Sequence, residues 1–136
     1  MLRYAIAYIS TALIFVVMDA IWLTLMGGWY RRELGALMAP DFRLAPAVIF
    51  YLLYLAGIVV FAVAPALADD RIATALLYGA LFGFFAYATY DLTNQATLAH
   101  WSLKLTLVDL VWGTVLTGTS AAFGTLLARN VLTRLQ

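Results

Sequence analysis

The sequence contains no cysteine, which excludes disulfides, thiolate metal sites and cysteine nucleophiles while leaving the redox compartment undefined. Histidine occurs once, as His100, so a multi-histidine metal centre of the oxygenase type is excluded too. Charge is scarce: Asp, Glu, Lys and Arg make up 11% of the chain and the net charge is +1. Phosphate binding needs clusters of Lys and Arg well beyond the eight present, and nucleic acid is set aside as a partner. No linker or low-complexity segment interrupts the chain, and 136 residues leave no room for a second, soluble domain.

What fills the chain instead is apolar. Hydrophobic residues make up 65% against about 45–50% in soluble domains, and the mean hydropathy is +0.95, so lipid must solvate much of the surface. At about 20 residues per crossing the chain can span a bilayer four times. The spans fall at about 4–26, 45–67, 72–92 and 105–128 of a single domain covering 1–136. Arg3 ahead of the first run could suggest a secretory signal, but the run continues past any h-region to Trp22 and Met26 with no Ala-x-Ala-type cleavage site, so the first helix is retained. Residues from Gly27 to Leu44 form the longest connection, with Trp29 and Tyr30 as an aromatic belt. Pro46 opens the second span, Asp69, Asp70 and Arg71 form a tight wet turn after it, and His100, Trp101 and Lys104 lie in the last loop. The fold expected is all-α: an integral membrane four-helix bundle with short loops and both termini on the same side.

Orientation does not follow from charge. Arg3, Arg71, Arg129 and Arg134 lie on the side of the termini, whereas Arg31, Arg32, Arg43 and Lys104 lie on the other, a tie under the positive-inside rule. Small transporters that insert both ways have such balanced charge, and so does a protein with one poorly signalled orientation.

The carboxylates inside the spans are the informative residues, because an Asp against lipid costs about 2.5–3.5 kcal/mol at mid-helix. Asp19, Asp91 and Asp109 sit in the first, third and fourth spans, and antiparallel threading brings all three into one leaflet. At 1.5 Å per residue Asp19 and Asp109 lie about 10 Å and about 6 Å below that surface, with Asp91 close to it. Tyr51 and Tyr54 fall at similar depth in the second span. In the third span Gly79, Gly83, Tyr87, Tyr90 and Asn94 share a stripe with Asp91 at its flank, and its glycines allow a neighbouring helix to approach closely. In the fourth span Thr106, Asp109, Gly113, Thr117, Ser120 and Gly124 share a face, with Trp112 beside it. Asp19, Trp22 and Thr24 match Asp109, Trp112 and Thr114 at the same offsets. This reads as convergence, since the two helices run in opposite directions.

Asp19, Trp22, Tyr51, Tyr54, Tyr87, Tyr90, Asp91, Asn94, Asp109 and Trp112 are therefore the candidate binding residues. Ionised carboxylates crowded into a low-dielectric pocket repel, so either one holds a proton or a cation neutralises them. The aromatic and carboxylate inventory suits binding or transport of a small cationic solute or a proton. An intramembrane enzyme acting on a lipid or isoprenoid is the alternative, with Mg or Mn on the carboxylates under that reading alone and no cofactor otherwise. No nucleophile with an adjacent base and no phosphate-binding loop accompanies it. A third alternative is a non-catalytic subunit of a membrane complex. The Asp residues could also serve structure alone, through hydrogen bonds to Thr, Tyr or Trp. Partners expected are the lipid bilayer, a small-molecule or lipid ligand, and a second copy in a homodimer.

Four segments carry a family resemblance: Asp19-Ala-Ile-Trp22-Leu, Phe50-Tyr51-Leu-Leu-Tyr54, Tyr87-Ala-Thr-Tyr90-Asp91-Leu-Thr93-Asn94 and Asp109-Leu-Val-Trp112-Gly113. In these the chain resembles the bacterial four-span membrane proteins grouped as domain of unknown function 2177, with Tyr-Asp-x-Thr-Asn the most specific element. The resemblance covers nearly the whole chain. It implies the fold and a multi-pass location in the bacterial inner membrane, and it implies no activity.

Overall fold

The computed structural model describes residues 1–135. Four helices long and apolar enough to cross a bilayer run antiparallel, so both termini lie on one side. They are α1 (Leu2–Leu34), α2 (Leu44–Asp69), α3 (Ile72–Thr97) and α4 (Leu103–Arg134). A 3-10 turn, Gly35–Leu37, follows α1. Ser102 caps α4 by accepting a hydrogen bond from Leu105 N, satisfying one of the amide donors that a helix start leaves free.

Helix α1 outlasts its apolar run. The residues read as the start of the long connection, Gly27 to Leu34, continue the helix for two further turns, to a stop at Gly35 with φ 51°. Glycines weaken a helix by roughly 0.5–1 kcal/mol each, and two contacts on α4 offset that weakness. The Tyr30 hydroxyl donates to Asp109, and Ser102 Oγ donates to Glu33 at 2.5 Å.

Helix α2 is not uniform. It is α-helical over Leu44–Ile58, widens to a π turn at Val59–Val63 and resumes as α-helix over Ala64–Asp69. Pro65 accounts for the widening, since its missing N–H frees the carbonyl four residues earlier and its ring crowds that carbonyl. From Tyr54 onward one face of the helix is buried in the bundle, through Tyr54, Leu55, Ile58, Val59, Ala62, Val63, Ala66 and Leu67, whereas the first turns make few contacts and leave Ile49, Phe50, Leu52 and Leu53 exposed. Three phenols hold the first half in place: Tyr8 donates to Leu52 O at 3.1 Å, Tyr51 to Asp19, and Tyr54 shares a 2.8 Å bond with Thr117.

The most buried helix is α4, and it packs on small residues. A side chain at Gly79 would run into Thr117 O and Ala121, one at Gly83 into Gly113 O, and one at Gly124 into Thr11. These are the close backbone approaches that small-xxx-small spacing allows between membrane helices. Outward-facing Ile9, Leu13, Val17, Val60, Phe61, Leu81, Phe85 and Val111 leave an apolar exterior around the bundle, as lipid requires. At the end carrying the termini Arg3 donates to Leu67 O and Arg129 pairs with Asp70 at 2.5 Å.

Candidate functional site

Rotation of α3 about its axis decides which polar groups meet. Its buried row is Ala75, Gly79, Gly83 and Asp91, a four-residue repeat fixed by the glycine contacts on α4. Asp91 therefore stands on the buried line, whereas Tyr90 turns outward at 60% exposed and rests edge-on against Trp101 at 5.7 Å. The stripe expected through Tyr90 and Asn94 lies to one side of the true one, because the tight Gly83 contact with Gly113 sets the rotation and three-residue steps drift the other way.

The register of α1 against α4 is fixed by the two tryptophans of the repeated pattern. Trp22 and Trp112 stack on each other with ring centroids 4.2 Å apart and planes 7° off parallel. The threonines behave alike as well: Thr24 donates to Ala20 O and Thr114 to Leu110 O, each at 2.7 Å. Because the helices are antiparallel, Asp19 lies one turn to the inner side of the stacked pair and Asp109 one turn to the outer side. Their axial separation is about 9 Å, more than the roughly 4 Å expected from span ends, since α1 runs beyond residue 26. The midpoint of α1 between Arg3 and Arg31 is residue 17, and Asp19 lies about 3 Å from it along the helix axis.

Each carboxyl has its own surroundings. Asp19 is 8% exposed and accepts the Tyr51 hydroxyl. Asp109 is 9% exposed and accepts the Tyr30 hydroxyl, whose oxygen in turn accepts Trp22 Nε1 at 3.1 Å. Asp91 is fully buried, and neither of its oxygens meets a donor. The group facing it is the Asp109 carboxyl, in hydrogen-bonding reach once either acid carries a proton. The one ion pair among the described residues, Arg129 with Asp70, is at the opposite end, and no basic side chain neutralises the two acids.

Two cavities meet at Asp109 and Tyr87. One, about 200 Å³, is lined by Asp19, Trp22, Leu23, Tyr30, Tyr51, Tyr87, Asp109 and Trp112. The second, about 330 Å³, lies between the first half of α2 and α3, with Phe50, Tyr54, Ala86, Tyr87, Tyr90 and Asp109 around it. Of the candidate residues Asp19, Trp22, Tyr51, Tyr87, Asp109 and Trp112 thus share one cavity, and Tyr54 and Tyr90 join the other. Asp91 reaches the site through Asp109, and Asn94, half-buried a turn beyond Tyr90, lines neither cavity.

Tyr30 is the residue the sequence reading missed, having placed it with Trp29 in an interfacial belt. The available signal was the spacing Trp22, Met26, Tyr30, which puts all three on one face if the helix persists through the glycines. Among the described residues no group of three or more His, Asp or Glu side chains is placed to hold a metal ion.

Chemically, the arrangement offers two hydroxyl-capped carboxyls at different depths and an acid pair that must hold a proton or a cation in a low-dielectric setting. The stacked tryptophans each cover one face of the other, and the rings open to a ligand between α2 and α3 are Phe50, Tyr54, Tyr87 and Tyr90.

No curated protein and no solved structure matches the chain. One family model does match, over residues 4–126, and its description is "Predicted membrane protein (DUF2177)". With four apolar spans and a match over nearly its whole length, the chain belongs to this family of multi-pass membrane proteins.

Proposed function

We propose that this protein binds a small organic cation in exchange for a proton at the Asp91–Asp109 pair, in the cytoplasmic membrane of a bacterium. The observation that carries the reading is the fully buried Asp91, whose oxygens meet no donor and which lies beside the Asp109 carboxyl. Two carboxylates in contact away from water repel strongly, and an uncompensated buried charge costs several kcal/mol. Protons neutralise the resting pair, and an arriving cation replaces one of them, keeping the net charge of the site unchanged. Aromatic side chains supply the rest of the recognition, since a cation over the face of a Tyr or Trp gains about 0.5–2 kcal/mol.

Depth supports exchange in preference to simple storage. Asp19, near the midpoint of α1 between its flanking arginines and capped by Tyr51, lines the same cavity as Asp109. The two form an inner and an outer carboxyl station, and transport sites characteristically lie near the midplane.

Native mass spectrometry of the detergent-purified protein tests the proposal. An amine retained by the wild type and lost from both Asp91→Asn and Asp109→Asn is the expected outcome. A wild type that carries no cation under any loading condition, with both variants equally well folded, contradicts it. A retained lipid or a stoichiometric protein partner in its place would favour the lipid-enzyme or the subunit alternative.

A further inference from the structure

The second cavity narrows the class of cation. Its walls are Phe50 and Tyr54 from α2 and Ala86, Tyr87 and Tyr90 from α3, with Asp109 the single charged group at its inner end. Phe50 on α2 and Tyr90 on α3 are among the exposed large hydrophobic residues, so the groove opens at the outer surface of the bundle. Phe50 stacks on Tyr54 at 5.2 Å, so the groove is aromatic from its mouth to Tyr87. At about 330 Å³ it lies at the small end of ligand pockets, roughly 300–1,000 Å³. Phe50 lies seven residues past Arg43, about 10 Å along the helix axis.

From this we infer that the ligand is an amphipathic primary amine that enters sideways from the bilayer, its ammonium group on Asp109 and its short apolar tail between α2 and α3. The inference rests on the cation-exchange reading and adds the tail, the route and the substrate class. Charge complementarity selects the occupant: an alkyl chain alone gains nothing from the Asp109 carboxyl at the end of the groove, whereas a strongly hydrated cation gains nothing from the aromatic walls. In the exchange the amine arrives already protonated, Asp109 or Asp91 releases one proton to water, and no covalent bond to the ligand changes. The π turn at Val59–Val63 is where the first half of α2 can pivot to admit the tail, π turns inside α-helices being frequent at functional sites.

Calorimetric titration of the protein in phosphatidylcholine nanodiscs with methylamine, octylamine and octanol tests the inference. Octylamine should bind wild type at least tenfold more tightly than methylamine, and octanol should not bind. Filling the cavity with Ala86→Trp should weaken octylamine at least tenfold and change methylamine less than twofold. Ala86→Leu, which fills less space, should give an intermediate loss. Partition of octylamine into the bilayer is common to all variants and cancels in that comparison. Equal binding of both amines, equal losses for both in Ala86→Trp, or binding of octanol comparable with octylamine would each overturn the tail site. If methylamine binds wild type and is lost in Asp109→Asn, the cation-exchange reading survives that failure. If neither amine binds, both fall.

Discussion

Replacing Gly83 by alanine should separate α3 from α4. A Cβ at Gly83 would lie 2.1 Å from Gly113 O, 2.6 Å from Thr117 Oγ1 and 2.7 Å from Thr117 Cβ. The nearest obstacle is backbone, which cannot rotate aside, so one helix must retreat by about 1 Å to restore an ordinary contact. A gap of 0.5–1 Å forfeits about a quarter to a half of each dispersion contact, and this seam is the most extensive in the bundle. The expected loss is about 3 kcal/mol, the upper part of the range for overpacked sites. Gly27→Ala is the matched control: nothing lies within 4 Å of its added Cβ, and relief of the glycine's backbone entropy should stabilise by about 0.5–1 kcal/mol. Reversible unfolding in mixed micelles, or steric trapping in bilayers, measures both. A Gly83→Ala protein within about 0.5 kcal/mol of wild type would refute the close seam, and with it the rotation of α3 that brings Asp91 to Asp109.

Three further outcomes follow from the same packing. Gly113→Ala meets the Tyr87 ring at 2.3 Å, and because a side chain can yield, stability should fall by only about 1 kcal/mol while Tyr87 is pushed into the cavities and amine binding weakens in calorimetric titration. Tyr51→Phe removes the donor to buried Asp19 and should cost about 1–3 kcal/mol; Asp19→Asn keeps an acceptor for Tyr51 and should cost less, an ordering read by the same unfolding assay. Ser102→Ala removes both the cap of α4 and the tie to Glu33, which should cost about 1 kcal/mol and speed amide exchange over residues 31–37, as hydrogen-exchange mass spectrometry would show.

Much of the fold is legible in the sequence because the bilayer leaves few options. An apolar run of about 20 residues must become a helix that satisfies its own backbone, and Gly79, Gly83, Gly113 and Gly124 mark where helices can touch. Antiparallel threading alone carries Asp91 and Asp109 toward one end. The rest depends on rotations and registers to which one-dimensional spacing is blind. Asp91 and Tyr90 are adjacent in sequence, yet one is fully buried and the other 60% exposed, a difference of about 100° around α3 that the Gly83 contact decides. The repeated Asp-x-x-Trp pattern is readable in each helix, but that the two indoles stack on each other, each covering one face of the other, depends on how α1 slides past α4. Tyr30 was hidden by Gly27 and Gly28, which read as a helix end. The helix continues because Tyr30 and Glu33 find partners on α4.

The central claim is that a cation takes the place of a proton at Asp91 and Asp109, and counting protons tests it most directly. Methylamine, itself a cation at neutral pH, is titrated into weakly buffered wild-type protein in nanodiscs while proton release and bound amine are both recorded. The account predicts about one proton released per amine bound, with neither binding nor release in the Asp91→Asn/Asp109→Asn double variant. Amine binding without proton release, or binding retained by the double variant, would contradict it.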